Sequence, residues 1–150
     1  MRKTFVMRGK TASGLTEVLN FGKYKPGYAY RITELLLWPS ESVGTKEAEL
    51  VATITAAKTF EDPANPNFNN DGLIAVSYFN VSNDPAYPKA SNQVINDTYM
   101  ITQNLILAVL DAKTGAPEAV NWQCRFESVK MTGAEEAAVN YKQFAISDGS

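Results

Sequence analysis

From Val120 to Glu127 apolar and polar side chains alternate without a break: Val120, Trp122, Cys124 and Phe126 against Asn121, Gln123, Arg125 and Glu127. A period of two sends one set to each face of an extended strand, so this stretch predicts a sheet with one buried and one wetter face. Shorter runs rich in β-branched, aromatic and aliphatic residues occupy Lys3 to Arg8, Thr16 to Phe21, Leu50 to Ala57, Leu73 to Val81 and Tyr99 to Leu110. Clusters of Gly, Pro, Asn and Asp separate them, which is the rhythm of an all-β sandwich or barrel. After Gly27, the residues Tyr28, Tyr30, Ile32, Leu36 and Trp38 are expected on one side of a strand, with Glu34 the exception and Pro39 its end. The two glycines in Gly9 to Gly14 predict a reversal that pairs the first two runs as an N-terminal hairpin.

One helix is expected near the end. Thr132 and Glu135 have the spacing of a capping box, and Ala138, Tyr141, Phe144 and Ala145 follow on one helical side. At 150 residues the chain is one domain long, 1–150, and can bury a two-layer core without metals or disulfides. The expected fold is therefore mainly β, an antiparallel β-sandwich of jelly-roll-like form with one short C-terminal helix. Two long connections, Thr59 to Gly72 and Ser82 to Asp97, are dense in Asn, Asp and Pro and are expected to form functional surface.

Composition removes several chemistries. There is no histidine, which excludes Ser-His-Asp and Cys-His hydrolases and histidine-bearing zinc sites. The single cysteine, Cys124, cannot form an intrachain disulfide, and its phase among apolar neighbours makes it a small core residue rather than a nucleophile. Gly9-Lys10-Thr11 is not a phosphate-binding loop, because Thr4 stands where that motif needs glycine. Asp62, Asp71, Asp84 and Asp97 lie in the long connections and are the acids from which a glycosidase pair would come; turn formation explains them more simply. The segment from Glu61 to Gly72 offers many hard oxygen ligands but lacks the EF-hand order, so calcium stays an open question and no cofactor is expected. The first eight residues do not read as a secretory signal, and the longest apolar run, Leu105 to Leu110, is too short to span a bilayer.

Charge is divided unevenly. Residues 1–31 hold seven basic side chains against Glu17, a net +6, whereas the rest hold seven basic and fifteen acidic side chains, a net −8. Such a division suits a basic face meeting nucleic acid or the acidic body of a second subunit. Tyr24, Tyr28 and Tyr30 lie among the basic residues and offer stacking surfaces, but an isoelectric point near 5.2 makes nucleic acid the lesser expectation.

In the strand entry Asn96-Asp97-Thr98-Tyr99-Met100-Ile101-Thr102-Gln103, the closing strand Trp122-Gln123-Cys124-Arg125-Phe126-Glu127 and the continuous β layout, the chain resembles small virion proteins of bacteriophages and environmental viruses. These are the sandwich or jelly-roll coat and decoration proteins. The resemblance implies a capsid or capsid-decorating subunit without active site, located in the virion after assembly in the host cytoplasm. Its partners would be copies of itself or another coat protein. The interface is expected at the basic start, Arg2, Lys3, Arg8 and Lys10, and in the loops, Asp62, Asn65, Asn67, Asn70 and Tyr87. The alternative is a carbohydrate- or ligand-binding sandwich, which would present aromatics such as Trp38, Tyr87 or Trp122 beside polar loops. A carboxylate-dependent glycoside hydrolase ranks third.

Overall fold

The computed structural model describes residues 3–21, 27–41, 47–56, 59–81, 90–113, 117–135 and 137–139. Among these residues eight strands form two antiparallel sheets. They are β1 (Thr4–Thr11), β2 (Thr16–Leu19), β3 (Tyr28–Pro39), β4 (Ala48–Thr55), β5 (Leu73–Val81), β6 (Ala90–Ile95), β7 (Leu105–Asp111) and β8 (Val120–Lys130). The smaller sheet has the order β1-β8-β3 and the larger the order β2-β7-β4-β5-β6.

Alternation on β8 works as its sequence dictates: Val120, Trp122, Cys124 and Phe126 are buried. They face Leu50, Ala52 and Ile54 of β4 and Leu105, Leu107 and Val109 of β7, all within one core cluster. Apolar burial on this scale is the main favourable term in such a fold. At one end Phe5, Phe21, Tyr30 and Phe126 gather with ring centroids 5.2 to 6.0 Å apart. Tilted and edge contacts of this kind add to area burial.

The N-terminal hairpin does not form. β1 pairs with β8 and β2 with β7, so the chain changes sheets between them. The crossing is a turn in which Leu15 N–H donates to the Ala12 carbonyl, with Gly14 at φ +82° donating to the Val109 carbonyl. A positive φ there is a glycine conformation. Gly14 therefore marks a reversal as expected, whereas Gly9 lies within β1, and the reversal is a corner between layers rather than a hairpin loop, since β1 pairs with β8 and β2 with β7.

The single-sided reading of 28–38 is corrected as well. Register slips between Ile32 and Glu34, leaving Thr33 as an extra residue. Such a bulge inverts the phase of everything after it. Tyr30 and Ile32 point inward, and so do Leu35 and Leu37, whereas Glu34, Leu36 and Trp38 face out. Part of the second long connection is also a strand: β6 runs along β5 from Ala90 to Ile95. In the stretch from Tyr99, Ile101 makes only an isolated bridge with Tyr30, and the strand proper begins at Leu105.

The N-cap bond of the expected capping box is present, and its glutamate bonds the cap hydroxyl. Glu135 N–H donates to Thr132 Oγ1 at 3.2 Å, and the Thr132 hydroxyl donates to Glu135 Oε1 at 3.0 Å, at the start of a short helix seen at 133–135 and 137–139. Tyr141, Phe144 and Ala145 lie outside the described residues. No helix among the described residues is long and apolar enough to cross a membrane.

Candidate functional site

β3 is laddered to β8 on one side, and apart from the isolated bridge of Tyr30 with Ile101 its other edge faces the larger sheet. Side chains of that sheet take up its backbone groups. Leu35 N–H donates to Gln93 Oε1 at 2.8 Å, and the Ser77 hydroxyl donates to the Leu35 carbonyl at 2.8 Å. Edge groups left without partners would cost stability or invite another strand. These two contacts seam the layers together where β3 passes β5 and β6.

Beyond the seam, the phase shift at Thr33 delivers Trp38 to the outer face. The residue is 56% exposed, and its ring leans across to Phe79 with centroids 5.5 Å apart and planes at 40°. The indole N–H has no partner among the described residues. Leu36 and Trp38 form a ridge between two depressions. A cleft of about 340 Å³ lies on the seam side, with Ser77, Phe79, Ser91, Asn92 and Gln93 in its walls. A broader depression of about 630 Å³ lies on the outer face of the smaller sheet, bordered by Arg8, Lys10, Asn121 and Gln123. No carboxylate lines either one among the described residues.

Register explains the order of side chains on this face. Lys10, Asn121 and Trp38 share one cross-strand row, and Arg8, Gln123 and Leu36 the next. The Arg8 guanidinium donates to Gln123 Oε1 at 3.1 Å through Nε and again through an Nη, and Asn121 Nδ2 donates to the Pro39 carbonyl at 3.2 Å. Further along, cations meet acids: the Arg31 guanidinium pairs with Glu127, and Arg125 lies 3.9 Å from Glu34. Arg8 and Lys10 have no such acid within ion-pair distance among the described residues. Positive charge is thus left uncompensated beside Trp38.

The expected interface residues do not converge. Arg8 and Lys10 lie on the outer face of the smaller sheet. Lys3 is exposed just before β1, its N–H donating to Ser128 Oγ at 3.3 Å. Asp62, Asn65, Asn67 and Asn70 belong to the connection 59–72, which crosses the outer face of the larger sheet, where the Thr53 hydroxyl donates to the Glu61 carbonyl at 2.7 Å. Arg2 and Tyr87 lie outside the described residues. The side chains of the connection serve its own turns. Asp62, Asn67 and Asn70 accept from Ala64, Asn69 and Gly72 N–H at 2.9, 3.0 and 2.9 Å. Glu61 accepts from Asn67 N–H at 2.8 Å and Asn70 Nδ2 at 2.7 Å. The same oxygens that suggested calcium are the ones that close these Asx turns.

Of the four acids weighed for catalysis, Asp62, Asp71 and Asp97 are exposed, and Asp84 lies outside the described residues. The buried acids are Asp111 and Glu118. Asp111 accepts from the N–H groups of Glu49, Lys113 and Glu118 at 3.1, 3.2 and 3.0 Å, and Glu118 from Ser40 N–H at 3.0 Å. The Lys113 ammonium lies 3.8 and 3.9 Å from the two carboxylates. This cluster ties the ends of β3, β4, β7 and β8 and is a structural clamp. Cys124 is fully buried, and desolvation pushes its thiol up to about 12.

Of the aromatics considered for a ligand platform, Tyr87 lies outside the described residues, Trp122 is in the core at 8% exposure, with Nε1–H donating to Thr11 Oγ1 at 3.0 Å, and Trp38 is presented. Leu36, Asn92, Asn121 and Gln123 were not singled out from the sequence. The alternation of β8 signalled the last two as outward-facing, whereas Leu36 needed the bulge and Asn92 the pairing of β6.

Fold and surface together define the class, an antiparallel β-sandwich with one seamed edge and an aromatic, polar outer surface. No family model matches the chain, and no curated protein matches it.

Proposed function

We propose that the chain is a structural subunit of a virion, a coat or coat-decorating protein that works through repeated contacts with itself or with another coat protein. The observation carrying this reading is the strand order. Orders β1-β8-β3 and β2-β7-β4-β5 send successive passes of the chain between the two layers as a jelly roll does, and viral coat domains are among the proteins built that way. β6 departs from the pattern by extending the larger sheet instead of completing the smaller one. Fold alone does not fix function.

Two surface features add support. β1 and β6 leave sheet edges unpaired among the described strands, and the outer face of the larger sheet exposes Val18, Phe68 and Val94 around the connection 59–72. Exposed edges and apolar patches are where chains meet. The test is the mass of the purified chain by size-exclusion chromatography with light scattering, followed by negative-stain imaging. Closed rings, shells or a defined oligomer are expected; a strict monomer at high concentration, with no binding to a purified shell, would overturn the reading. The alternative of a ligand-binding sandwich has its own observation, the exposure of Trp38 beside polar side chains.

A further inference from the structure

We infer that Trp38 and the outer-face residues around it form a binding site for a negatively charged sugar chain. This deepens the ligand-binding alternative and is independent of whether the chain assembles. Sugars are recognised by an aromatic ring against the apolar face of a pyranose, with amides and charged groups on its hydroxyls and acidic substituents. The surface beside Trp38 carries each of these parts.

The ring is exposed yet supported by Phe79, so stacking costs little further ordering. Two depressions flank it, about 340 and 630 Å³, and together they extend along both sides of the Leu36–Trp38 ridge. Gln123 and Asn92 use their carbonyl oxygens within the fold, on Arg8 and on Gln93 N–H, which leaves their amide N–H groups to donate. Asn121 does the reverse, donating to Pro39 and keeping an acceptor. Donors and acceptors of both kinds suit hydroxyl groups.

Charge selects the kind of sugar. Lys10 sits two strands from Trp38 in the same row, roughly 10 Å away at the usual interstrand spacing, the span of a disaccharide. Arg8 lies in the next row. With no acid lining either depression among the described residues, a carboxylate or sulfate on the sugar meets uncompensated cations. Hydrolysis by paired carboxylates likewise has no groups here to carry it among the described residues. A nucleic acid strand fits less well, because successive bases need several exposed rings and, among the described residues lining the two depressions, Trp38 is the one exposed ring.

The chain has two tryptophans, one exposed and one buried, so intrinsic fluorescence reports on this site directly. The whole chain is titrated with oligogalacturonate, with neutral malto-oligosaccharide and with short single-stranded oligothymidylate. Saturable quenching by oligogalacturonate is expected, weakened by salt and at least about tenfold tighter than for the neutral sugar, one such factor being 1.4 kcal/mol. Trp38→Phe should keep most of the affinity and Trp38→Ala lose at least about tenfold, read by calorimetry since the fluorophore is gone. Arg8→Gln with Lys10→Gln should remove the preference for the acidic sugar. Far-UV circular dichroism confirms that each variant is folded. Absence of saturable binding of oligogalacturonate, unchanged affinity in folded Trp38→Ala, or tighter binding of oligothymidylate would each overturn the assignment, and none of these bears on the assembly reading.

Discussion

The two faces of the smaller sheet are made by the same three strands and have opposite characters. Inward, Trp122, Cys124 and Phe126 are closed off from water, and the only polar group of Trp122 is satisfied by Thr11. Outward, Trp38 stands open among Arg8, Lys10, Asn121 and Gln123. Each face holds one tryptophan, so residue type does not set the role. What differs is the neighbour: in the dry core the indole N–H is paired, whereas the wet face keeps donors and charges in reserve.

The sharpest break in the comparison comes from truncating each ring. Trp122→Ala should cost about 3–5 kcal/mol in urea unfolding, since it empties a packed core site. A cost below about 1 kcal/mol would mean that the inner face is not close-packed. Gly9→Ala probes the same contact from the opposite strand. An added Cβ would lie 2.8 Å from Trp122 Cζ2, so a loss of about 1–3 kcal/mol is expected in the same experiment. Thr11→Val keeps the shape and removes the acceptor, leaving a buried indole N–H unsatisfied, for a loss of about 1–2 kcal/mol.

The thiol sharpens the comparison through pH. Burial raises Cys124 from 9.0 to about 12, so the unfolded chain releases this proton first as pH rises. Stability contributed by the neutral thiol is complete below pH 9 and is lost between 9 and about 12, at up to roughly 1.4 kcal/mol per pH unit. Tyr99, also raised by burial to about 12, adds a similar slope from 10, so the measurement is the difference in alkaline unfolding between wild type and Cys124→Ala. Equal slopes would place the thiol in contact with water. The smallest effect belongs to the outer face. Trp38→Ala should change stability by about 0.5 kcal/mol or less, while removing nearly all the acrylamide-quenchable fluorescence.

Much of this was legible in the residues. Alternation on β8 gave its buried face, the position of Cys124 and the core role of Trp122, and the spacing of Thr132 and Glu135 gave the helix start. The hairpin expectation failed because glycines signal a reversal without naming the strand that will pair. Trp38 was misplaced by a single extra residue, Thr33, since a bulge leaves no mark in composition and yet reverses the phase. The Asn-rich connection was recognised, and the turn formation expected of its Asn and Asp side chains is what their bonds to its own backbone carry out.

The sequence by itself determined the class of fold and the chemistry denied to it, because side-chain period and the lack of histidine are local facts that no folding can change. Tertiary structure alone decided which strands became neighbours, that Lys10, Asn121 and Trp38 share a row, and that the cations beside them meet no acid among the described residues. Those are relations between residues some hundred positions apart. They are set by register and by the burial of whole faces, and both exist only once the sheets have closed over their core.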